Sequence, residues 1–545
     1  MRITDCLQSL SPKQRAAVPY LLLAAAVFAA YANVYNNTFV LDDIPLIVQN
    51  GFLRSWGSLP DLLSHLSNGG AGRAGGFCRP LQMLLYFFIY QSFGLQAAAF
   101  HLLNVALQAA NAGLVYRLGC RLGLRAGAAF LAALLWAVHP LFTESVTYMS
   151  GTADPLYSFF SLLGILVLLP DFTPRKFWLS GLLFALALGA KESAIVFPAL
   201  AAITLFLVSK ERLHFSTYLR TWPLWLLAAV YIGGWLMFMH ASGYNTYDPR
   251  DMIDPQLYAG NIANRIFTAL ATLPVYAGLI VWPAGLHMER SYPVFTSFWS
   301  WRVLPGAAMA AGVILQIFWG RARRGLALSW GLLWFAAAHA PNTGILIPVN
   351  ALVAEHWMYL PTVGLFLGVA VWLEDLKIKK LQAAAAALAV AATLSFGVKT
   401  YLQNRVWRDP GAFYENILLR GESSGRIHNN LGLFYWSRGE FEKAAGQLRL
   451  AVADPGLRMQ PMIVGMHTNL ALMYLRAHVN EAGTVTLQEL QRALPLAPQT
   501  PEAIAELEAA LEIDPAFFWA NQILYMIYDD QGNKKKAAFY KSRLH

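Results

Sequence analysis

The chain has 545 residues, of which 57% are hydrophobic and 13% are charged. Soluble globular proteins carry about 25% charged residues, so this composition excludes an ordinary soluble enzyme and predicts a multi-pass protein of the lipid bilayer. The net charge of +10 reflects Lys and Arg at predicted helix ends. No basic arm with interleaved aromatic residues occurs in the sequence, which argues against nucleic-acid binding.

The apolar runs are confined to residues 18–402, and the chain is polar afterwards. We therefore predict a membrane domain at 1–404 and a C-terminal soluble domain at 405–545. Lys13 and Arg15 precede the first apolar run, so the positive-inside rule places the N-terminus in the cytoplasm. About eleven crossings are predicted, at roughly 18–36, 97–118, 126–142, 152–170, 177–190, 193–209, 221–240, 303–319, 326–340, 347–372 and 381–402.

Two long segments between these crossings are not counted as crossings. The segment 36–96 is a large external loop with a short amphipathic helix at about 80–92. The segment 266–286 is apolar, but the charge pattern of its neighbours leaves no room for a single crossing. It is expected to be interfacial, re-entrant or paired with a further crossing. Pro274 and Pro283 favour a broken element there. The resulting odd number of crossings places the C-terminal domain outside, on the same face as the 36–96 loop.

The C-terminal domain contains a repeat of about 34 residues. The stretch "NNLGLFYWSRGEFEKAAGQLRLAVADP" (429–455) has the spacing of a tetratricopeptide repeat, with small residues such as Gly432 and Ala444 where paired helices approach. Partial matches follow at 467–475, 502–515 and 521–540. About three repeats predict an α-solenoid whose concave face binds a protein or peptide. A plain helical domain with chance resemblance is the alternative.

Ionisable residues concentrate at the predicted outer membrane boundary. Such residues cost about 2.5–3.5 kcal/mol each at membrane depth and usually mark function. Their cations suit a phosphate group, and a carboxylate suits general-base chemistry. His139 and Glu144 raise the possibility of a divalent metal, but a pair five residues apart without a clear third ligand does not indicate one.

Five stretches in this order resemble GT-C-fold glycosyltransferases, and in particular the transmembrane and tetratricopeptide-repeat-containing protein O-mannosyltransferases with their bacterial relatives. The stretches are "FVLDDIPLIVQN" (39–50), "CRPLQMLLYFFIYQSFGLQAAAFHLLNVALQ" (78–108), "HPLFTESVTYMSGTADPLYSFF" (139–160), "GAKESAIVFP" (189–198) and "AEHWMYLP" (354–361). The resemblance implies an all-α fold, a polyprenyl-phosphate sugar as donor and an extracytoplasmic acceptor.

The resemblance also implies roles for particular residues. One of Asp42 and Asp43 is the expected general base of a single inverting displacement. Asp42, the first acid of the pair, is favoured, and Asp43 is then expected to orient it or to bind sugar hydroxyls. The residues expected to bind the donor phosphate or sugar are Arg79, His139, Glu144, Asp154, Lys191, Glu192, Arg290, Glu355 and His356. The chain departs from the family pattern at Thr152 and His356, where relatives often carry arginine. Arg79, Lys191 or Arg290 would then have to supply the missing positive charge.

Structural alternatives stay open for several of these residues. Arg79 could snorkel at the membrane interface, and Lys191 and Glu192 could form a mutual ion pair that closes a short turn. For the whole protein, the alternatives are a non-catalytic membrane scaffold and a related enzyme that glycosylates a lipid or glycan. A transporter would place charges near the bilayer midplane, which this sequence does not do. The expected location is a bacterial inner membrane with the repeats in the periplasm.

Overall fold

The computed structural model describes residues 11–64, 79–169, 173–208, 221–241, 255–320, 323–349, 351–454, 460–478, 485–496 and 500–544. Residues 65–78 of the predicted external loop and residues 321–322 lie outside these ranges. The described residues form helices and turns without β-strands, which confirms the all-α class. They divide into two compact units, Met1–Arg408 and Asp409–His545.

The helices of the first unit follow one another with short connections. They are α1 (Pro12–Ala30), α2 (Leu59–Ser64), α3 (Pro80–Phe93), α4 (Ala97–Arg121), α5 (Ala126–Ala137), α6 (Thr143–Val146), α7 (Ala153–Leu168), α8 (Pro174–Ala190), α9 (Phe197–Val208), α10 (Trp222–Ala241), α11 (Ile262–Val281), α12 (Val303–Trp319), α13 (Arg323–His339), α14 (Tyr359–Glu374) and α15 (Lys379–Gln403). Helix α3 confirms the helix predicted at about 80–92.

Several helices are long and apolar enough to cross a membrane, as expected of an integral membrane protein. Within the described ranges, five helical stretches meet this criterion, and a sixth does so if α5 and the bent segment after it count as one span. Three further apolar helices, beginning at Glu192, Trp222 and Val303, are shorter. The count of about eleven crossings therefore stays a prediction.

The first helix lies earlier in the sequence than the predicted crossing at 18–36. Ser11 caps its start, because the Ser11 hydroxyl accepts the Gln14 N–H while the Gln14 side chain accepts the Ser11 N–H. The helix ends at Ala30, and a short turn and a 3-10 helix, Val34–Asn36, follow it. The hydrophobic run did not reveal this shift, because it continues past the point where the helix stops.

The prediction of a broken element at 266–286 is wrong. Helix α11 runs without interruption through Pro274 and ends before Pro283. Its 20 residues are apolar enough to span a membrane. An internal proline removes one backbone hydrogen bond, and contacts with neighbouring helices can sustain the helix despite that loss. Helix α12 is such a neighbour, since it packs closely against α11.

Glycines allow α13 and α14 to pack closely in the membrane unit. A Cβ atom on Gly331 would lie 2.4 Å from the Gly364 carbonyl oxygen, and one on Gly364 would lie 2.5 Å from Trp334 Cβ. Small residues let helix backbones approach in membrane proteins, where dispersion contacts rather than water exclusion drive packing.

The second unit consists of consecutive helices that pack against one another. They are α16 (Pro410–Leu419), α17 (Gly425–Ser437), α18 (Phe441–Val452), α19 (Gln460–Tyr474), α20 (Leu487–Ala493), α21 (Thr500–Ile513), α22 (Phe518–Asp530) and α23 (Lys534–Lys541). Helix α17 packs on α18, α19 on α21 and α22 on α23. Gly432 faces Leu448 across the first of these pairs. Their assignment as tetratricopeptide repeats stays a prediction.

Candidate active site

The two adjacent acids occupy opposite environments on one turn, Val40–Asp43, which we call the acidic turn. Asp42 is exposed, whereas Asp43 is fully buried. Leu41, which lies between Val40 and Asp42, has a φ of 49°, a left-handed conformation that a branched aliphatic residue rarely adopts. Backbone strain of this kind persists only where surrounding contacts hold it, and it is concentrated at functional sites.

Asp43 anchors the acidic turn to the protein interior. Its Oδ1 accepts the N–H of Ser150 at 2.7 Å and the Ser150 hydroxyl at 2.6 Å, while its Oδ2 accepts the N–H of Val40 at 3.1 Å. Burial raises the pKa of Asp43 to about 7, even though these three donors favour the ionised form and lower it in part. Because every oxygen faces into the protein, Asp43 is built to hold the turn.

Ser150, which donates two hydrogen bonds to Asp43, lies in a second turn, Met149–Thr152. We call it the 149–152 turn. Tyr86 on α3 donates its hydroxyl to the Met149 carbonyl at 2.7 Å, and Gln82 donates to the Ser150 carbonyl at 3.0 Å. The Thr152 hydroxyl lies 2.6 Å from Asn104 Oδ1. Helices α3 and α4 therefore fix the surface on which the acidic turn rests.

Thr152 is the first departure from the family pattern, and the structure places it inside the protein. Its side chain is buried and its hydroxyl bonds Asn104. Gly151 before it lies directly against the backbone of α6, because an added Cβ would be 2.6 Å from the Glu144 carbonyl oxygen. The 149–152 turn thus connects the acidic turn with the helix that carries Glu144.

Four predicted donor-site residues form two ion pairs next to this turn. Lys191 Nζ lies 2.7 Å from Asp154 Oδ1, and both side chains are buried. Arg79 binds Glu192 through two nitrogens, with Nη2–Oε1 at 2.8 Å and Nε–Oε2 at 3.2 Å. This pair keeps 24% and 34% of its side-chain surface exposed. The predicted alternative of a mutual pair between Lys191 and Glu192 is therefore wrong, since each has another partner.

Four further predicted residues form a second group of pairs. Arg290 Nη2 donates to Glu355 Oε1 at 2.6 Å, and the N–H of His287 donates to the same oxygen at 2.8 Å. His356 places Nδ1 at 2.7 Å from Glu144 Oε1 and donates its backbone N–H to Oε2 at 3.0 Å. At this second departure from the family pattern, the histidine thus still pairs with a carboxylate.

His139 has a mainly structural environment. Its Nδ1 accepts the N–H of Leu141, so Nε2 carries the proton and donates to the Ile280 carbonyl at 2.8 Å. The ring is fully buried, with its centre 4.5 Å from that of Phe396. These contacts occupy both ring nitrogens, which favours a role in shaping the turn over direct contact with a donor.

The site also contains residues that the sequence did not single out. Ser150 holds Asp43, and Tyr148 accepts the N–H of Asp42 on its hydroxyl oxygen at 3.1 Å. A weak signal was present, because "TYMSGT" (147–152) places several hydroxyl groups in a predicted external turn. Among the described residues, no three His, Cys, Asp or Glu side chains are close enough together to hold a metal ion.

Comparison with known proteins gives relatives over most of the chain, although no protein-family profile matches it. The chain is 27% identical over 474 residues to protein O-mannosyl-transferase TMTC4 of Homo sapiens, covering 76% of this chain and 63% of that protein. It is 25% identical over 545 residues to protein O-mannosyl-transferase Tmtc3 of Drosophila melanogaster, covering 84% and 57%. It thus spans about half to two thirds of the length of these curated relatives.

One solved structure was also found. It is the crystal structure of ArnT from Cupriavidus metallidurans bound to undecaprenyl phosphate, with 14% sequence identity and a TM-score of 0.35. The match covers 92% of this chain and 80% of ArnT.

Proposed function

We propose that this chain, a homologue of the TMTC protein O-mannosyl-transferases, is a glycosyltransferase that moves mannose or another hexose from a polyprenyl-phosphate donor to a hydroxyl group of an extracytoplasmic protein. One observation carries the proposal. Of the two acids at the predicted outer membrane boundary, Asp42 is exposed on a strained turn, and Asp43 is buried and holds that turn.

The reaction needs a base that takes the acceptor proton and cations that stabilise the leaving phosphate. Asp42 accepts the proton of the acceptor hydroxyl as that oxygen attacks the anomeric carbon of the sugar. The bond between the anomeric carbon and the donor phosphate breaks, and the polyprenyl phosphate leaves with both electrons. The centre is inverted, because the acceptor oxygen attacks on the side opposite the leaving phosphate in a single displacement, without a carboxylate nucleophile in between.

Cations near the leaving phosphate stabilise the charge that develops on it. Of the three candidate cations, Arg79, Lys191 and Arg290, Arg79 has the most exposed side chain. Its planar guanidinium already binds Glu192 through two nitrogens, a geometry that suits phosphate oxygens equally well. Arg290 retains 16% of its side-chain surface, and Lys191 retains 6%. We therefore assign phosphate binding first to Arg79 and a supporting structural role to the buried Lys191 pair.

The acceptor is proposed to be a protein because the relatives are named protein O-mannosyl-transferases. As a stack of tetratricopeptide repeats, which the sequence predicts, the helical C-terminal unit would present a concave surface to an extended peptide. The charge pattern of the sequence predicts that this unit and the acidic turn lie on the same, periplasmic side of the membrane. A lipid or glycan acceptor, and a non-catalytic scaffold, are the competing outcomes of the experiment.

The test uses the full chain in nanodiscs with polyprenyl-phosphate mannose, related lipid-linked hexoses and a Ser/Thr-rich peptide as acceptor. Asp42→Asn should lower turnover by about 10²–10⁴-fold, the range for loss of a general base. Asp61→Asn is the matched control, because Asp61 is an exposed acid on the same predicted external segment and should retain activity.

Each outcome separates the hypotheses. Loss of turnover in Asp42→Asn with an unchanged melting temperature supports the assignment of the base. Equal turnover of wild type and Asp42→Asn refutes that assignment. Transfer to lipid or glycan but not to peptide refutes the protein acceptor. No donor cleavage by wild type with any of these sugars and acceptors favours the scaffold.

A further inference from the structure

The short turn that ends the last membrane helix, Asn404–Trp407, carries an unusual concentration of long-range contacts. We call it the 404–407 turn. Asn404 is fully buried. Its Nδ2 donates to the Ala30 carbonyl at 3.0 Å and to Asn33 Oδ1 at 2.8 Å, and its Oδ1 accepts the Thr147 hydroxyl at 2.7 Å. One amide therefore joins α15 to the end of α1 and to the segment that leads into the 149–152 turn.

The same stretch of backbone also binds the chain just before the acidic turn. Asn37 donates its side-chain amide to the Asn404 carbonyl at 3.0 Å. Thr38 donates both its N–H, at 2.8 Å, and its hydroxyl, at 3.2 Å, to the Arg408 carbonyl. These contacts link positions about 370 residues apart and fix residues 37 and 38, which precede the acidic turn by only a few residues.

Trp407 links the 404–407 turn to the acidic turn through a second set of contacts. Its buried ring stacks on Tyr148 with a centroid distance of 5.1 Å and an interplanar angle of 23°. The Tyr148 hydroxyl oxygen in turn accepts the backbone N–H of Asp42 at 3.1 Å. The orientation of the Tyr148 ring, and hence the position of its hydroxyl, is set by the aromatic surface against which it lies.

We propose that the 404–407 turn is the positioning element for Asp42, with Trp407 and Tyr148 as positioning residues and Asn404 as the residue that holds the turn in place. The kinetic part of this inference rests on the proposed function, but the conformational part does not. In the proposed reaction a base must meet the acceptor hydroxyl within hydrogen-bond reach, and small displacements of such a group are costly. The Asp42 side chain is exposed, so the position of its carboxylate depends on the conformation of its backbone.

Two features argue that these contacts serve the acidic turn and not only general packing. Leu41 holds a left-handed conformation that would relax unless both sides of the turn were held. Asp43 holds one side through Ser150, and Tyr148 holds the other through the Asp42 N–H. A buried amide such as Asn404, with all its polar atoms satisfied by separate segments, specifies one arrangement of those segments.

The experiment measures amide hydrogen exchange at Asp42 in the full-length protein in nanodiscs, which requires no donor or acceptor. Tyr148→Phe removes the hydroxyl and keeps the ring, and Trp407→Leu removes the stacked surface. Both should raise the exchange rate of the Asp42 amide at least tenfold. Trp407→Phe keeps an aromatic surface and should restore most of the protection.

A matched control excludes general loosening of the membrane unit. Phe184 stacks on Phe197 with centroids 4.9 Å apart, in a pair that does not belong to this connection. Phe184→Leu should therefore leave exchange at Asp42 unchanged. If it raises exchange as much as Trp407→Leu does, or if Trp407→Leu and Tyr148→Phe leave the Asp42 amide protected, the positioning role is refuted.

Kinetics supply a second readout that distinguishes this inference from the proposed function. With an active wild type, Tyr148→Phe and Trp407→Leu should lower kcat at least tenfold and leave the KM for the lipid donor within about twofold. A rise in donor KM with unchanged kcat would contradict a role in positioning the base. If wild type shows no transfer, only the proposed function is refuted. Faster exchange at Asp42 in both variants then still supports the positioning role.

Discussion

Replacing Gly151 by alanine should displace the backbone that supports the acidic turn, without altering any charged group. An alanine Cβ at this position would lie 2.6 Å from the Glu144 carbonyl oxygen, 2.9 Å from the Ser145 carbonyl oxygen and 3.1 Å from the Ser145 carbonyl carbon. Real Cβ atoms essentially never approach backbone atoms within 3.0 Å, so the two backbone segments must separate.

The cost follows from what must move. The obstructing atoms belong to backbone, which cannot rotate away as the tip of a flexible side chain can. Inserting a methyl group into a packed interior typically costs about 1–3 kcal/mol, and we expect the upper part of that range here. Ser150 precedes Gly151 directly and provides two of the three donors to Asp43. Separation of the segments should therefore also loosen the acidic turn.

The assay is thermal unfolding in nanodiscs together with exchange at the Asp42 amide. Gly151→Ala should lower the unfolding midpoint by several degrees and raise exchange at Asp42. Gly181→Ala is the matched control, because Gly181 is a helical glycine with no atoms within 4 Å of an added Cβ. It should be neutral or stabilising by up to about 1 kcal/mol. Equal midpoints for the two variants would show that the close approach at Gly151 is not a constraint.

Further variants test other parts of the structure. Because burial raises the pKa of Asp43 to about 7, its protonated form stabilises the fold at low pH, and this contribution is lost as pH rises towards 7. Between pH 5 and 7, wild type should lose up to about 3 kcal/mol relative to Asp43→Asn, and parallel melting curves across this range would contradict the shift. Lys191→Met leaves its buried carboxylate partner unpaired and should cost about 3–5 kcal/mol in unfolding experiments, whereas a loss below 1 kcal/mol would indicate that water reaches the pair. In the C-terminal unit, Gly432→Ala places a Cβ 2.7 Å from Leu448 Cγ and should lower the unfolding midpoint, while Gly446→Ala, with open space around it, should not.

Local patterns were sufficient for the class of protein and for several of its elements. Low charge and long apolar runs predicted an α-helical membrane protein, and the amphipathic stretch after Arg79 predicted the helix that the structure has at Pro80–Phe93. The acidic pair was identified as a candidate site because adjacent carboxylates at a membrane boundary are costly. These features depend on residue type and short-range spacing, which the sequence displays directly.

Which charged residues pair with one another could be identified only from the folded structure. Lys191 and Glu192 are neighbours in sequence, yet they bind Asp154 and Arg79 respectively. Pro274 suggested a broken helix, and the helix continues through it. Charge and proline signals limit which arrangements are possible, but packing against distant helices selects one of them.

The sequence by itself determined that two acids lie next to each other after the first apolar run, and tertiary structure decided which of them is exposed. Nothing in "LDD" distinguishes the carboxylates, since both have the same chemistry and adjacent positions. Asp43 is buried because Ser150, 107 residues later, offers it two hydrogen-bond donors. Asp42 is left exposed, with its backbone N–H bonded to the hydroxyl of Tyr148, whose ring stacks on Trp407. Such contacts arise only when distant segments meet, because local periodicity carries no information about which segments will become neighbours.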